Sequence, residues 1–306
     1  MPSQLNVDII ENQSGTPGDN TPVLVNGAKI YGIGIGMRSL SIGDNQKAIS
    51  PGYGINADAV HIGTSIFPAA PGSNPQTVAI GSLIADLSAN NGCGQSILIG
   101  TEIARNIGNT SNDNVFIGYK AGTNITGYSS NNTIIGSNAG SLLTTGQSNT
   151  LIGSLAGSNL TTGGDNIVIG LGATAATATS NNSITLGNSS VSVIRAAVTS
   201  ITSLSDERDK KDIKDLSTGL EFVEALRPVE FTWNDRDEKG RHDIADFGFI
   251  AQDLKKAQED AEKAEVLKLV YDENPEKLEA SYGKLIPILV KAIQELSAEV
   301  KELKNK

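Results

Sequence analysis

Asn131-Asn132-Thr133-Ile134-Ile135-Gly136-Ser137-Asn138-Ala139-Gly140 opens the stretch NNTIIGSNAGSLLTTGQS (131–148), whose reading decides how most of this chain folds. It is followed directly by NTLIGSLAGSNLTTGGD (149–165) and NIVIGLGATAATATS (166–180). All three share one plan: a short apolar strand, a Gly, a second small turn and a polar return rich in Thr, Asn and Gly. Working outward, Ile-Gly or Leu-Gly pairs begin at Ile42, Ile62, Ile80, Ile99, Ile117, Ile135, Ile152, Ile169 and Leu186, and the step settles from 20 residues to 17. A period this short lies below that of the common helical repeats and suits one coil of a β-solenoid. One coil cannot bury its apolar face alone, so stacking supplies the core. Ile117, Ile135, Ile152 and Ile169 are read as that repeat core, each lying on the Ile above. The Gly that follows allows a bend or a close approach of backbones, and Asn at recurring turns tolerates left-handed geometry. A coil with a single strand-turn makes a thin core, which favours interwound chains over a single-chain solenoid.

Near residue 205 the composition breaks. Residues 1–204 hold 9 Asp/Glu and 6 Lys/Arg, while residues 205–306 hold 25 and 18. Hydrophobic residues make up 38% of the 306, enough for a core, but aromatics at 4% leave little of it to large rings. The net charge of -10 argues against nucleic acid or an anionic membrane as partner, and no run approaches the ~20 apolar residues of a membrane span. Cys93 is the lone cysteine, read as a small buried filler, so no intrachain disulfide framework exists. The opening MPSQLNVDIIENQSG has neither a basic region nor an apolar run, which predicts no secretory signal and synthesis in cytoplasm. Residues 1–40 alternate at Val23, Val25, Ile30, Ile33 and Ile35 around the turn signal Asn26-Gly27, predicting a small β element used for attachment.

Beyond Ser217 the pattern becomes α plus β. STGLEFVEALRP predicts a helix capped by Ser217, with Leu220, Val223 and Leu226 on one face and an end at Arg227-Pro228. VEFTWN (229–234) alternates as a strand, DFGFIAQDL (246–254) reads as a buried strand leading into an exposed helix near Asp253, and VLKLVY (266–271) as another strand. In the last segment Ile286, Leu289, Ile293, Leu296, Val300 and Leu303 step by 3, 4, 3, 4, 3. That is a coiled-coil seam with β-branched residues at a and Leu at d. The fold class is thus a mainly β N-terminal part, a trimeric β-roll or β-solenoid over 41–204, followed by a small α+β domain over 205–306 ending in a coiled-coil helix.

The Ile-Gly repeats resemble the head repeats of trimeric autotransporter adhesins. Four motifs of the charged half, SDERDK (205–210), LRPVEFTWN (226–234), GFIAQDL (248–254) and LIPILVKAIQEL (285–296), together resemble the intramolecular chaperone auto-processing domain that ends phage endosialidases, tail spikes, tail fibres and neck appendages. That resemblance implies a homotrimer, assembled by its C-terminal chaperone and cleaved by a Ser–Lys dyad, with Ser205 as nucleophile, Lys210 as base and Leu204–Ser205 as the scissile bond. A serine hydroxyl becomes a good nucleophile only when a base takes its proton, and a lysine serves as that base only when neutral. Arg208 and Lys211 are placed to favour the neutral amine, with Asp206 and Asp209 opposing it. The implied protein is a virion tail fibre, spike or appendage, made in the host cytoplasm, joined to other virion proteins through its N-terminus and touching a host surface receptor, a glycan among the candidates.

Two other functions compete. A polysaccharide-degrading tail spike needs paired carboxylates across a sugar groove, and the ladder's few acids are widely spread. A bacterial trimeric adhesin needs export and an anchor, neither of which is legible. His61 and His242 lie in different parts of the chain and predict no metal site, and no cofactor motif appears: Gly32 to Gly36 lacks the strand–loop–helix setting of a phosphate loop. Trp233 reads as a core or interface anchor.

Overall fold

A computed structural model describes residues 39–42, 59–66, 77–85, 94–107, 111–197, 201–234 and 243–306. The expectations for residues 1–38, Cys93 and His242 lie outside them. The chain divides into two compact units, Met1–Ala173 with Asn181–Thr185, and Thr174–Ser180 with Leu186–Lys306.

The first unit is a β-solenoid. Its strands are β1 (Ser39–Ile42), β2 (Ala59–Ile66), β3 (Val78–Ile84), β4 (Ile97–Thr101), β5 (Val115–Tyr119), β6 (Thr133–Ile135), β7 (Thr150–Ile152), β8 (Ile167–Ile169) and β9 (Ile184–Leu186). They form one nine-stranded sheet in sequence order, and the pairs from β1 to β8 are parallel. Register follows the repeat: Ile99 pairs with Ile117, Ile117 with Ile135, Ile135 with Ile152 and Ile152 with Ile169.

The stacked Ile are not the interior. Successive side chains of a strand point to opposite faces, and the second residue of each strand from β4 to β8 is the one that turns inward. Leu98, Phe116, Ile134, Leu151 and Val168 are fully buried, while Ile117, Ile135 and Ile152 are half-buried and Ile169 is 38% exposed. The repeat core therefore falls one residue before each Ile-Gly pair, and Ile117, Ile135, Ile152 and Ile169 form an apolar ladder on the outer face. Two further inward columns complete the core. Ala121, Ala139, Ala156 and Ala173 fill the turn after the strand, and Ile107, Ile125, Leu143 and Leu160 fill the return; all are 0 or 1% exposed. Small residues on one wall and large ones on another fill the coil, so each described coil closes around its own core within one chain. The sequence-based expectation of a core too thin for a single chain counted only the strand.

The recurrent Asn has a different role from the one its turn propensity suggests. Asn114, Asn132, Asn149 and Asn166 are fully buried. Asn149 Nδ2 donates to Asn132 Oδ1 at 3.2 Å and to Gly163 O at 2.9 Å, and Asn149 Oδ1 accepts from Asn166 Nδ2 at 3.0 Å and from Asn166 N at 3.2 Å. The same contacts recur one coil earlier through Asn132 and Asn114. Serines take the two outer rungs: Ser96 Oγ accepts from Asn114 N at 3.1 Å, and Ser183 Oγ donates to Asn166 Oδ1 at 2.7 Å. Left-handed geometry falls on the preceding residues, Asp113, Asn131, Ser148 and Asp165, each with φ between 55° and 61°, and on Asn138 and Asn182, so other Asn of the repeat do take the left-handed turns expected of them. The Gly of the pair is required by contact. Gly118 has φ +134°, and a Cβ there would lie 2.6 Å from Gly136 O on the next coil.

The second unit is α+β. It contains α1 (Leu220–Glu224), β10 (Pro228–Thr232), β11 (Ala245–Phe249), α2 (Ala251–Asp260), α3 (Ala264–Leu267), β12 (Val270–Tyr271), β13 (Glu279–Ala280) and α4 (Leu285–Lys304). Its core is Phe222, Leu254, Leu267, Leu269, Val270, Leu285 and Ile288. The first helix is shorter than read and is entered at Gly219, not Ser217. Its first amide is satisfied from a distance, by Glu295 Oε2 on α4, which accepts from Leu220 N at 2.7 Å. β10 and β11 pair antiparallel, with the first three residues of β11 exposed, so this strand is not the buried one expected. Tyr282 anchors its end: the hydroxyl accepts from Phe249 N at 3.1 Å and lies 3.2 Å from Phe249 O, with the two rings edge to face. VLKLVY splits, because Lys268 ends α3 in the left-handed conformation with φ 44° and leaves only Val270–Tyr271 as strand. Among the described residues no helix is long and apolar enough to cross a membrane.

Candidate active site

The junction between the repeats and the α+β core is a short backbone device. Residues 201–215 are exposed, with Ile201 and Leu204 almost fully so at 101% and 97%. A 3₁₀ turn over Glu207–Asp209 interrupts this stretch. Asp206 enters it with extended backbone, and its Oδ1 accepts from Arg208 N at 2.9 Å, so a side chain satisfies one of the amides that any helical turn leaves unpaired. The turn closes through Asp209 N to Asp206 O at 3.2 Å and Lys210 N to Glu207 O at 3.0 Å.

This reversal brings Lys210 back beside Ser205. Lys210 Nζ donates to Ser205 Oγ at 2.7 Å and to Ser205 O at 3.0 Å. Hydroxyl and amine are thus in direct hydrogen-bond contact, the geometry that a nucleophile and its base require. Both side chains face solvent. Arg208 does not act separately on the amine. Its Nε donates to Asp206 Oδ1 at 3.0 Å and its Nη2 to Asp206 Oδ2 at 2.6 Å, so the two charges offset each other. Hydrogen bonds from the Arg208 guanidinium, then from its backbone amide, hold the Asp206 carboxyl below the usual aspartate range.

The chemistry open to this pair can be balanced atom by atom. In a self-cleavage a neutral Lys210 amine would take the proton of Ser205 Oγ, and the oxygen would attack the Leu204 carbonyl carbon. The Leu204–Ser205 C–N bond would break as the proton passed to the departing Ser205 nitrogen. Leu204 would be left as an ester on Oγ, which water would hydrolyse to a Leu204 carboxylate and a restored hydroxyl.

The other residues singled out in the sequence lie elsewhere in the second unit. Ile286, Leu289, Ile293, Leu296, Val300 and Leu303 lie along α4 with exposures between 41 and 69%. The adjoining face, at Leu285, Ile288 and Ala292, is buried in the unit's core. Trp233 is half-buried, and its Nε1 donates to Asp246 Oδ2 at 3.1 Å. The Asp206–Arg208 clamp is the part that sequence reading missed, since the run of charges looks solvated until the turn places the carboxylate on the amide two residues on.

Residues 205–263 match the family model described as the chaperone of endosialidase. No curated protein and no solved structure matches the chain. The match begins at Ser205 and spans Lys210, α1, β10, β11 and α2, which supports reading this part of the chain as an intramolecular chaperone domain of the endosialidase type.

Proposed function

We propose that this chain is a homotrimeric virion tail fibre or spike that contacts the host surface, assembled by its C-terminal chaperone domain, which then cuts itself off once at Leu204–Ser205. A β-solenoid joined to such a chaperone fits a protein of the phage tail-spike type. The observation that carries the oligomer is the exposed stripe of α4. Six apolar residues at heptad spacing stay 41 to 69% exposed beside the buried face of a helix of 20 residues, and water is a poor neighbour for such a seam. The outer Ile ladder is a second unsatisfied apolar surface, on the solenoid. Because each coil already closes its own core, the solenoids would dock side by side through this ladder without interwinding. The observation that carries the cut is the 2.7 Å contact of Lys210 with Ser205. Neighbouring chains would exclude water from the junction, so cleavage follows assembly in this reading.

The test is chain mass and oligomeric state of the full chain against Ser205→Ala and Lys210→Ala. The expected result is a trimer in all three, with loss of residues 205–306 from the covalent chain in the wild type alone. An intact wild-type chain in a completed trimer rejects the cut, and a monomeric Ser205→Ala chain rejects the trimer.

A further inference from the structure

The family match and the two reacting groups leave one question open at the junction: what keeps Lys210 against Ser205. An extended chain over five residues spans about 17 Å, yet the amine lies 2.7 Å from the hydroxyl. The 3₁₀ turn that reverses the chain is three residues long, and a single turn is unfavourable by itself because several dihedral angles are fixed for one or two hydrogen bonds. Nothing apolar supports it, since none of its residues is buried and every residue from 201 to 215 is exposed. The contacts that remain are local. Asp206 Oδ1 sits on the Arg208 amide at 2.9 Å, and the Arg208 side chain returns to grip both carboxylate oxygens. A carboxylate held at two points by a guanidinium has its orientation set, so the cap stays on the amide.

We propose that Asp206, locked in place by Arg208, is the positioning residue of this site: it holds the 207–209 turn that sets the Lys210 amine on the Ser205 hydroxyl. Neither residue touches the reacting atoms in this role. The consequence for rate rests on the self-cleavage reading given above, while the consequence for the turn does not. Asp206→Asn keeps an oxygen for the Arg208 amide and should act as the conservative rescue. Asp206→Ala removes the cap altogether, and Arg208→Ala leaves the cap but frees its rotation.

The experiment uses the full chain with two readouts. The first is the time course of cleavage after assembly. The second is amide hydrogen exchange at Arg208 and Lys210, measured in the Ser205→Ala background so that the chain stays intact. Asp206→Ala is expected to slow cleavage about fivefold to tenfold, the scale of a lost helix cap, and to speed exchange at both amides by a similar factor. Asp206→Asn is expected to stay within about threefold of wild type in both readouts, and Arg208→Ala to fall between. Faster exchange without slower cleavage overturns the proposal, as does slower cleavage without faster exchange. If the wild-type chain never cuts, the self-cleavage reading fails by itself, and the exchange readout alone decides whether Asp206 holds the turn.

Discussion

Asn149 shows how much of this molecule hangs on single polar side chains. It takes part in six hydrogen bonds, two through its amide nitrogen, two through its side-chain oxygen, one through its backbone N–H and one through its carbonyl. An unsatisfied buried polar group costs about 1–3 kcal/mol, and Asn149→Ala removes four side-chain hydrogen bonds, to Asn132, Gly163 and Asn166. Denaturant unfolding of the variant should show a loss of about 3 kcal/mol or more. Gly118→Ala should also be disruptive, because its Cβ would meet Gly136 O at 2.6 Å in backbone with φ +134°. The repeat of Asn was legible in the sequence, but its role was not. Asn favours both left-handed turns and buried amide ladders, and only the placement of Asp113, Asn131, Ser148 and Asp165 in the left-handed positions separates the two. The candidate site was legible in the same partial way. Ser205 and Lys210 could be named from motif order, whereas the Asp206–Arg208 clamp needed the turn's geometry.

At the scale of elements, α1 and α4 are joined by a carboxylate acting as a distant cap. The Leu220 amide, and secondarily Lys291, hold the Glu295 carboxyl below the usual glutamate range. Its folded pKa is lower than its unfolded one, so the stabilisation is fully present above the unfolded value and is lost as pH falls through the folded one. Thermal melts of wild type and Glu295→Gln should differ at neutral pH and converge in the acid range below the ordinary glutamate value. A difference that persists at the lowest pH would count against the carboxylate. The helix that carries Glu295 was the most legible element in the sequence, because a heptad pattern depends only on spacing. The short elements were less so. VLKLVY has the composition of a strand, but Lys268 adopts the left-handed conformation and divides it, a choice made by packing of Leu267 and Leu269 into the core on either side.

For the whole molecule, two apolar surfaces must be told apart by what they cost when changed. Leu151 is fully buried, so Leu151→Ala should destabilise the chain by about 2–5 kcal/mol whatever its oligomeric state. Ile152, the next residue, faces outward and is half-buried. Ile152→Lys should leave the isolated chain near wild-type stability and weaken its association, read as a concentration-dependent fall in mass by light scattering. On α4, Leu296→Lys should keep the helical circular dichroism and, on the homotrimer proposed above, lose the assembly, since Leu296 is 49% exposed in the single chain. If both variants assemble as wild type does, these faces are not the interface.

The period of the repeat by itself determined the reading as a β-solenoid, and the order of motifs after residue 205 pointed to a chaperone domain of the endosialidase type, because both depend on spacing along the chain. Which residues face inward was decided only by the tertiary structure. Strand alternation allows either face to be the core. The choice of Leu151 over Ile152 comes from the Ala and Leu columns and the Asn ladder, which close the coil on one side of the strand. The contact of Lys210 with Ser205 was likewise decided by a capped turn that reverses the chain, a geometry that the spacing of five residues permits but does not impose.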